Sequence, residues 1–297
     1  MNETNISWVR WRDGTGWRKG YTWNPADGCT QVSPGCRNCY ARAITERFPK
    51  NFPDGFSVTL HPERLEQILN KKKLPPGARV FVNSMSDMFH PRVPFDFIDR
   101  CFSLMSERRD VAFMILTKRP NRMLQYFEWS SFGGTYGGGD YDPNIMLGVS
   151  AENQFYADLR IPQLLKMPAW KKFVSCEPLL GPIDLSKYLG KGLILPGGWS
   201  YRQTIQGCFA AVKDRDLPDW PVDGLDLVIA GGESGAGHRP MDPDWARGIR
   251  DQCIAHSAPF FYKQGGGARP GTDSILDGRE WKEFPEMDLQ LQAEGSN

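Results

Sequence analysis

Short apolar runs recur along this chain, and most of them lead into a stretch with helical spacing. That alternation limits the possible folds more than any other feature. Residues 79–84, 111–117, 145–150, 172–176, 225–230 and 259–263 each read as a buried strand. After the first, Phe95, Ile98, Phe102 and Met105 fall on one helix face. A short helix is expected over 121–127 and another over 155–166. Asp242 is placed to cap a helix that has Pro243 in its first turn and Trp245, Ile249 and Cys253 along one side. Strands apolar on both faces and separated by helices argue for a parallel sheet. About six such units, beginning near Thr22, predict an α/β fold of the partial (β/α)6 barrel type. The pattern alone leaves an open doubly wound sheet as the alternative. A single domain over 1–297 is expected, with its barrel core at 20–265. Three stretches break the rhythm: 129–143, rich in glycine and aromatics; 186–224; and the tail at 266–297. Long irregular segments of this kind are usually lids, binding loops or links.

Composition matters mainly for what it excludes. A net charge of +1 creates no global field toward nucleic acid or membrane, so any such contact needs a local patch. No run approaches the roughly 20 apolar residues that span a bilayer. The N-terminus lacks the apolar centre of a secretion signal. A cytoplasmic protein is expected, in the host cytoplasm if the chain is phage-encoded. In such a compartment seven cysteines, three of them crowded together, point to metal or redox chemistry rather than disulfides.

Cys29, Cys36 and Cys39 stand at a C-x6-C-x2-C spacing on a loop containing Gly28, Pro34 and Gly35, just before a helix expected over 40–48. Three thiolates can hold three irons of a four-iron cluster and leave the fourth iron open to a non-protein ligand. Chelation of that iron by the amino and carboxylate groups of S-adenosylmethionine is what its reductive cleavage requires. A structural zinc site is the competing reading. Zinc normally takes four protein ligands, and the nearest histidines are His61 and His90.

The segment 29–41, together with SMSDMF from Ser84, LTKRP from Leu116, GVSAE from Gly148, SCEP from Ser175 and GGESG from Gly231, resembles a phage and bacterial family of radical-SAM-like proteins with a three-cysteine motif. The resemblance spans roughly 20–285 and keeps the motifs in order. Within the radical SAM superfamily it is most similar to the spore photoproduct lyase type. It implies a radical SAM barrel that holds a [4Fe-4S] cluster on Cys29, Cys36 and Cys39 and binds S-adenosylmethionine. Two features depart from the superfamily pattern. The first gap is six residues rather than three, and Asn38 stands where an aromatic usually precedes the last cysteine, with Tyr40 following it.

In parallel α/β barrels chemistry gathers at the C-terminal ends of the strands. Ser86, Asp87, Thr117, Lys118, Ser150 and Glu152 lie at such ends, and by the resemblance they are candidate cofactor-binding residues. Ser86 and Asp87 would face the methionyl amine; Lys118 and Ser150 would face the carboxylate or ribose. Glu177 and Glu233 are candidates for proton transfer or substrate contact, and Cys176 for hydrogen donation. Each can equally be a polar turn residue, and Cys176 a small packing residue. Cys101 and Cys253 fall on apolar helix faces and read as core. GGESG has neither the P-loop ending nor the dinucleotide spacing, so a tight turn against the cofactor is expected instead.

The resemblance further implies an enzyme of lyase or isomerase type that modifies or rearranges a nucleobase, in a phage setting one in phage DNA. It would need an electron donor such as a flavodoxin-like reductase. Trp8, Arg10, Trp11, Arg12, Trp17, Arg18 and Lys19 can pair with a nucleotide, or pack as an arm on the barrel. A non-enzymatic zinc- or iron–sulfur-containing nucleic-acid-binding protein is the alternative from another class. A third reading is a degenerate fold that keeps its cluster for stability or sensing.

Overall fold

The computed structural model describes residues 1–131, 142–167, 169, 171–191, 193–195, 200–203, 209–212, 220–287 and 289–290. The apolar runs become one eight-stranded sheet. Its strands are β1 (Asn2–Thr4), β2 (Gly20–Trp23), β3 (Arg79–Val82), β4 (Ala112–Thr117), β5 (Ile145–Ser150), β6 (Lys171–Cys176), β7 (Leu227–Gly231) and β8 (Phe260–Gln264). Their order across the sheet is their order in the chain. Only β1 is antiparallel to its neighbour; the pairs from β2 to β8 are parallel. A doubly wound sheet reverses its strand order at a switch point, and this one has none. The sheet therefore curls as a half-barrel, and the open alternative falls away.

The helices are α1 (Tyr40–Arg47), α2 (Phe95–Ser106), α3 (Pro120–Ser131), α4 (Gln154–Leu165) and α5 (Pro243–Ala255). Asp242 caps α5 by accepting from the Asp244 amide at 2.9 Å. α3 outruns the expected 121–127 because Tyr126 and Ser130, one turn apart, both reach Asp99 at 3.3 Å.

Strand alternation sorts the core into two layers. Val80, Val82, Phe113, Ile115, Leu147, Val174, Val228 and Phe260 point outward against the helices. Phe81, Met114, Met146, Phe173, Leu227, Ile229 and Phe261 point inward. The inner layer is closed by the N-terminal segment: Trp8 and Val9 are buried there. The Trp8 ring lies 4.7 Å from Phe81 and 6.1 Å from Phe173, centroid to centroid. Trp11 is also buried, so two of the N-terminal tryptophans pack as an arm, and Trp17 stays exposed.

The expected breaks in rhythm resolve unevenly. Of the 129–143 stretch, 132–141 lies outside the described residues, as do 192, 196–199, 204–208 and 213–219 of the 186–224 stretch. The rest of the latter carries two antiparallel ladders, Leu193–Leu195 with Trp220–Val222 and Ser200–Gln203 with Phe209–Val212. The tail is built into the fold even though it has no periodicity. The Tyr262 amide donates to the Trp281 carbonyl at 2.9 Å and the Glu283 amide to the Phe260 carbonyl at 3.2 Å, so the tail covers the free edge of β8. Backbone pairing of this kind leaves little pattern in the side chains. Residues 291–297 lie outside the described ones.

Trp8→Ala is expected to cost about 3–5 kcal/mol, the range for truncating a buried large aromatic. Urea unfolding followed by far-UV circular dichroism measures it. A loss below about 1 kcal/mol would mean that the arm is not part of the core.

Candidate functional site

The three cysteines lie beyond the C-terminal ends of the strands, on a loop that makes little regular structure of its own. Its only helical turn before α1 is the 3-10 segment Pro34–Cys36. Cys39 is the N-cap of α1, with its carbonyl accepting from Ala43 at 3.2 Å. All three thiols are half-buried. A loop this irregular cannot satisfy its own polar groups, so other elements must hold it. Groups from four strand ends do so.

From the end of β3, the Ser86 hydroxyl donates to the Gly28 carbonyl at 2.6 Å, and the Gly28 amide donates to the Met85 carbonyl at 3.0 Å. Gly28 has φ +81°, and a Cβ there would meet the Ser57 carbonyl oxygen at 2.0 Å, so only glycine fits. From the end of β4, Arg119 Nη2 donates to the carbonyl and to the hydroxyl of Thr30, both at 2.9 Å, while Nη1 lies 3.4 Å from Cys29 Sγ. From the end of β5, Glu152 accepts from the Gly35 amide at 3.3 Å and from Arg160 at 2.8 Å. From the end of β7, Glu233 accepts from Asn38 at 2.8 Å and from the Arg239 guanidinium, whose shortest contact is 2.6 Å. Arg239 also donates to the Pro34 carbonyl at 3.0 Å.

Asp87 governs the Arg119 anchor. Its carboxylate accepts from the Phe89 amide at 3.0 Å, the Thr117 hydroxyl at 2.7 Å, the Lys118 amide at 3.2 Å and Arg119 Nη1 at 3.0 Å. Both members of the Asp87–Arg119 pair are buried to about nine-tenths, with side chains 8% and 9% exposed. Burial, and then the Asp87 charge, push the Cys29 thiol above its ordinary value, and Arg119 opposes them. Burial and then Arg119 hold His90 below its ordinary value. His90 Nδ1 accepts from the Arg92 amide at 3.1 Å. That assigns the ring proton to Nε2, which donates to the Thr30 hydroxyl at 2.9 Å.

Five of the residues singled out from the sequence, Ser86, Asp87, Thr117, Glu152 and Glu233, thus position the cysteine loop or its anchors. Lys118, Ser150 and Glu177 remain on the inner side, as strand alternation from Met114, Met146 and Phe173 requires. Lys118 Nζ donates to Ser150 Oγ at 3.2 Å, and no carboxylate pairs with it among the described residues. Glu177 pairs with Lys263, which lies two residues after inward Phe261. Cys176 points the other way. It is fully buried in the outer layer, its thiol pushed up by burial, so it does not reach the inner groups. GGESG packs backbone to backbone on residues 265–267, where a Cβ on Gly232 would meet the Gly265 oxygen at 2.3 Å.

Sequence reading missed Arg160, Arg239 and the part played by Asn38. Arg160 had a usable signal: it interrupts the apolar stripe of Ala157, Ile161 and Leu164, and a buried arginine requires a buried acid. Asn38 donates to Glu233 and to the Gly237 carbonyl, so the departure at that position serves to fasten the loop.

A tetrahedral zinc with Zn–S bonds of about 2.3 Å needs its sulfurs roughly 3.8 Å apart and a fourth ligand. Among the described residues no three His, Cys, Asp or Glu side chains gather as ligands of a single ion. His90 is engaged as above, and His61 sits between Asp27 and Glu63, 2.9 and 3.1 Å from their oxygens. Among the described residues the loop offers three half-buried thiols, with no His, Asp or Glu joining them as a further ligand. A cluster whose irons are each held by one cysteine fits that set.

The chain belongs to a family described as a protein of unknown function, DUF5131, whose model matches residues 3–285. No curated protein and no solved structure matches it.

The Glu233 anchor makes a pH prediction. Burial works to raise this carboxyl, but hydrogen bonds from the Arg239 side chain and backbone, and then from Asn38, outweigh it and hold the group below its ordinary value. Its stabilisation is therefore complete above the unfolded-state value of about 4.3 and is lost as pH falls through the lower folded value. Glu233→Gln is expected to lower the urea midpoint at pH 7, with the gap closing below about pH 4. A gap unchanged across that range would mean the carboxylate charge does not hold the loop.

Proposed function

We propose that this DUF5131 protein is a radical S-adenosylmethionine enzyme of lyase or isomerase type, and that its half-barrel is of the (β/α)6 radical SAM kind. The observation that supports the reading best is a three-thiol loop with no fourth protein donor among the described residues, fastened over the strand ends on which such chemistry gathers. Cys29, Cys36 and Cys39 would hold a [4Fe-4S] cluster with one iron open. Bound there with S-adenosylmethionine and supplied by an electron donor such as a flavodoxin-like reductase, the cluster supplies one-electron reductive cleavage of the sulfonium.

The chain's own residues have separable roles. Lys118 is a half-buried ammonium that, among the described residues, contacts the Ser150 hydroxyl and no carboxylate, and a cation in such a place suits a carboxylate. Ser150 orients that ammonium and can itself contact a polar ligand group. Glu177 and Lys263 form an ion pair on the inner side, where both can contact a bound substrate. Asp87 and Arg119 fix Cys29 and Thr30. They are positioning residues, although Asp87 was expected to meet the methionyl amine. The substrate class follows from the resemblance: a nucleobase, in a phage setting one in phage DNA.

A non-enzymatic nucleic-acid-binding protein is favoured by one feature. On the two-stranded ladder of Trp11–Arg12 and Trp17–Arg18, the exposed Trp17 ring has the guanidinium carbons of Arg12 and Arg10 at 4.8 and 5.6 Å. This platform sits at the other end of the strands from the cysteines, since Arg79 at the start of β3 donates to the Arg10 carbonyl. A strand held there would not meet the inner groups directly.

Anaerobic reconstitution with iron and sulfide, followed by electron paramagnetic resonance of the reduced protein, separates the two readings. The enzyme reading expects a four-iron signal that changes on adding S-adenosylmethionine and is absent in Cys29→Ala. It also expects Lys118→Ala to weaken cofactor binding about tenfold or more, as loss of a charge-assisted contact should. Stoichiometric zinc with no cluster formed would overturn it.

A further inference from the structure

One cleft lies away from the cofactor candidates. It is a cleft of about 950 Å³ beside the β1–β2 edge, and none of Ser86, Asp87, Thr117, Lys118, Ser150 or Glu152 lines it. Its wall is formed instead by the two ends of the cysteine loop. Asn24 and Asp27 come from the stretch before Cys29, and Tyr40 and Ile44 from the helix after Cys39. Arg64 and Lys73, on the segment between α1 and β3, also line it.

Three features of this lining point to one ligand chemistry. The first is charge. Arg64 Nη1 is engaged by the Asn24 carbonyl at 3.1 Å and Asp27 at 2.9 Å, whereas Lys73 is exposed and no ion pair holds it among the described residues. The second is an oriented amide. Asn24 Oδ1 accepts from Ser84 Oγ at 3.2 Å and from the Met85 amide at 3.0 Å, which leaves its Nδ2 as a donor of fixed direction. Asn51, Gln67 and Asn70 add further amides to the lining. The third is an aromatic face. The Tyr40 hydroxyl is tied to the Ser84 carbonyl, so its ring is held in place while the side chain remains 48% exposed.

A cation for an anion, fixed amides for a hydrogen-bonding edge and a tethered ring for stacking are together the recognition set of a nucleotide. A sugar phosphate would leave the ring unused, and a lipid chain would find the amides unpaired. We propose that this cleft binds a nucleotide unit, with its phosphate toward Lys73 and its base on Tyr40 within reach of Asn24. The base would then lie alongside the residues that flank Cys29 and Cys39. What is done to the base rests on the proposed enzymatic reading; the binding itself does not.

The test is equilibrium binding by the full chain, purified anaerobically, with and without a reconstituted cluster. The probes are a labelled single-stranded oligothymidylate followed by fluorescence anisotropy, and dTMP and deoxyribose 5-phosphate as competitors. The expected result is saturable binding weakened about tenfold by Lys73→Glu and again by Tyr40→Leu, with the sugar phosphate competing about tenfold less well than dTMP. Lys73 is exposed and no ion pair holds it among the described residues, so Lys73→Glu keeps the test readable if the Tyr40 variant misfolds. Tight competition by dTMP marks a site for free nucleotides, and binding of the oligomer alone marks a strand; both support the proposal. Absence of binding, or binding that Lys73→Glu leaves unchanged, overturns it. Failure of cofactor cleavage with nucleotide binding intact would sink the enzymatic reading and leave the cleft standing.

Discussion

The buried Asp87 carboxylate is the interaction on which the rest of the site depends. It accepts from Thr117, from two backbone amides and from Arg119, and through Arg119 it reaches Thr30 and Cys29. A paired charge in such surroundings is tolerated because its partners are all present; removing one leaves the other buried and unpaired. The pair therefore ties the turn after β4 to the cysteine loop, two segments about ninety residues apart in the chain. The geometry of Cys29 depends on it.

The other anchors follow the same logic with different partners. Glu152 is matched by Arg160 on α4, and Glu233 by Arg239, each acid also taking a donor from the loop. Each arginine satisfies a carboxylate that would otherwise be costly to bury, and the loop amide or side chain takes remaining acceptor capacity. A half-barrel suits this arrangement because consecutive strand ends lie side by side beneath one loop. In an open doubly wound sheet the strand ends on the two sides of the switch point would be served by connections on opposite faces.

Much of this fold was legible in the sequence. Continuous apolar runs of four to six residues marked β3 to β8 because both strand faces are buried. Asp242 with Pro243 marked the start of α5. The uses of the strand-end residues were not legible. Ser86, Glu152 and Lys118 look alike as polar groups after a strand, and what separates them is whether a distant donor arrives. Gly35, Asn38 and Arg239 arrive only through the path of the loop, which no local pattern encodes. Cys176 shows the same limit from the other side. Its place next to Glu177 suggested a shared surface, yet the period-two geometry of a strand sends adjacent side chains to opposite faces.

The cysteine loop adjoins two groups of side chains. On its inner side, Lys118, Ser150, Glu177 and Lys263 supply cations and a carboxylate above an apolar layer. On its outer side, Tyr40, Asn24, Arg64 and Lys73 line the large cleft. The same few residues serve both compartments: Asn24 and Tyr40, which line the cleft, are bonded to Ser84 and Met85, and Met85 in turn takes the Gly28 amide of the loop. The cleft lining and the cysteine loop thus share one short segment, Ser84 and Met85, bonded from both directions.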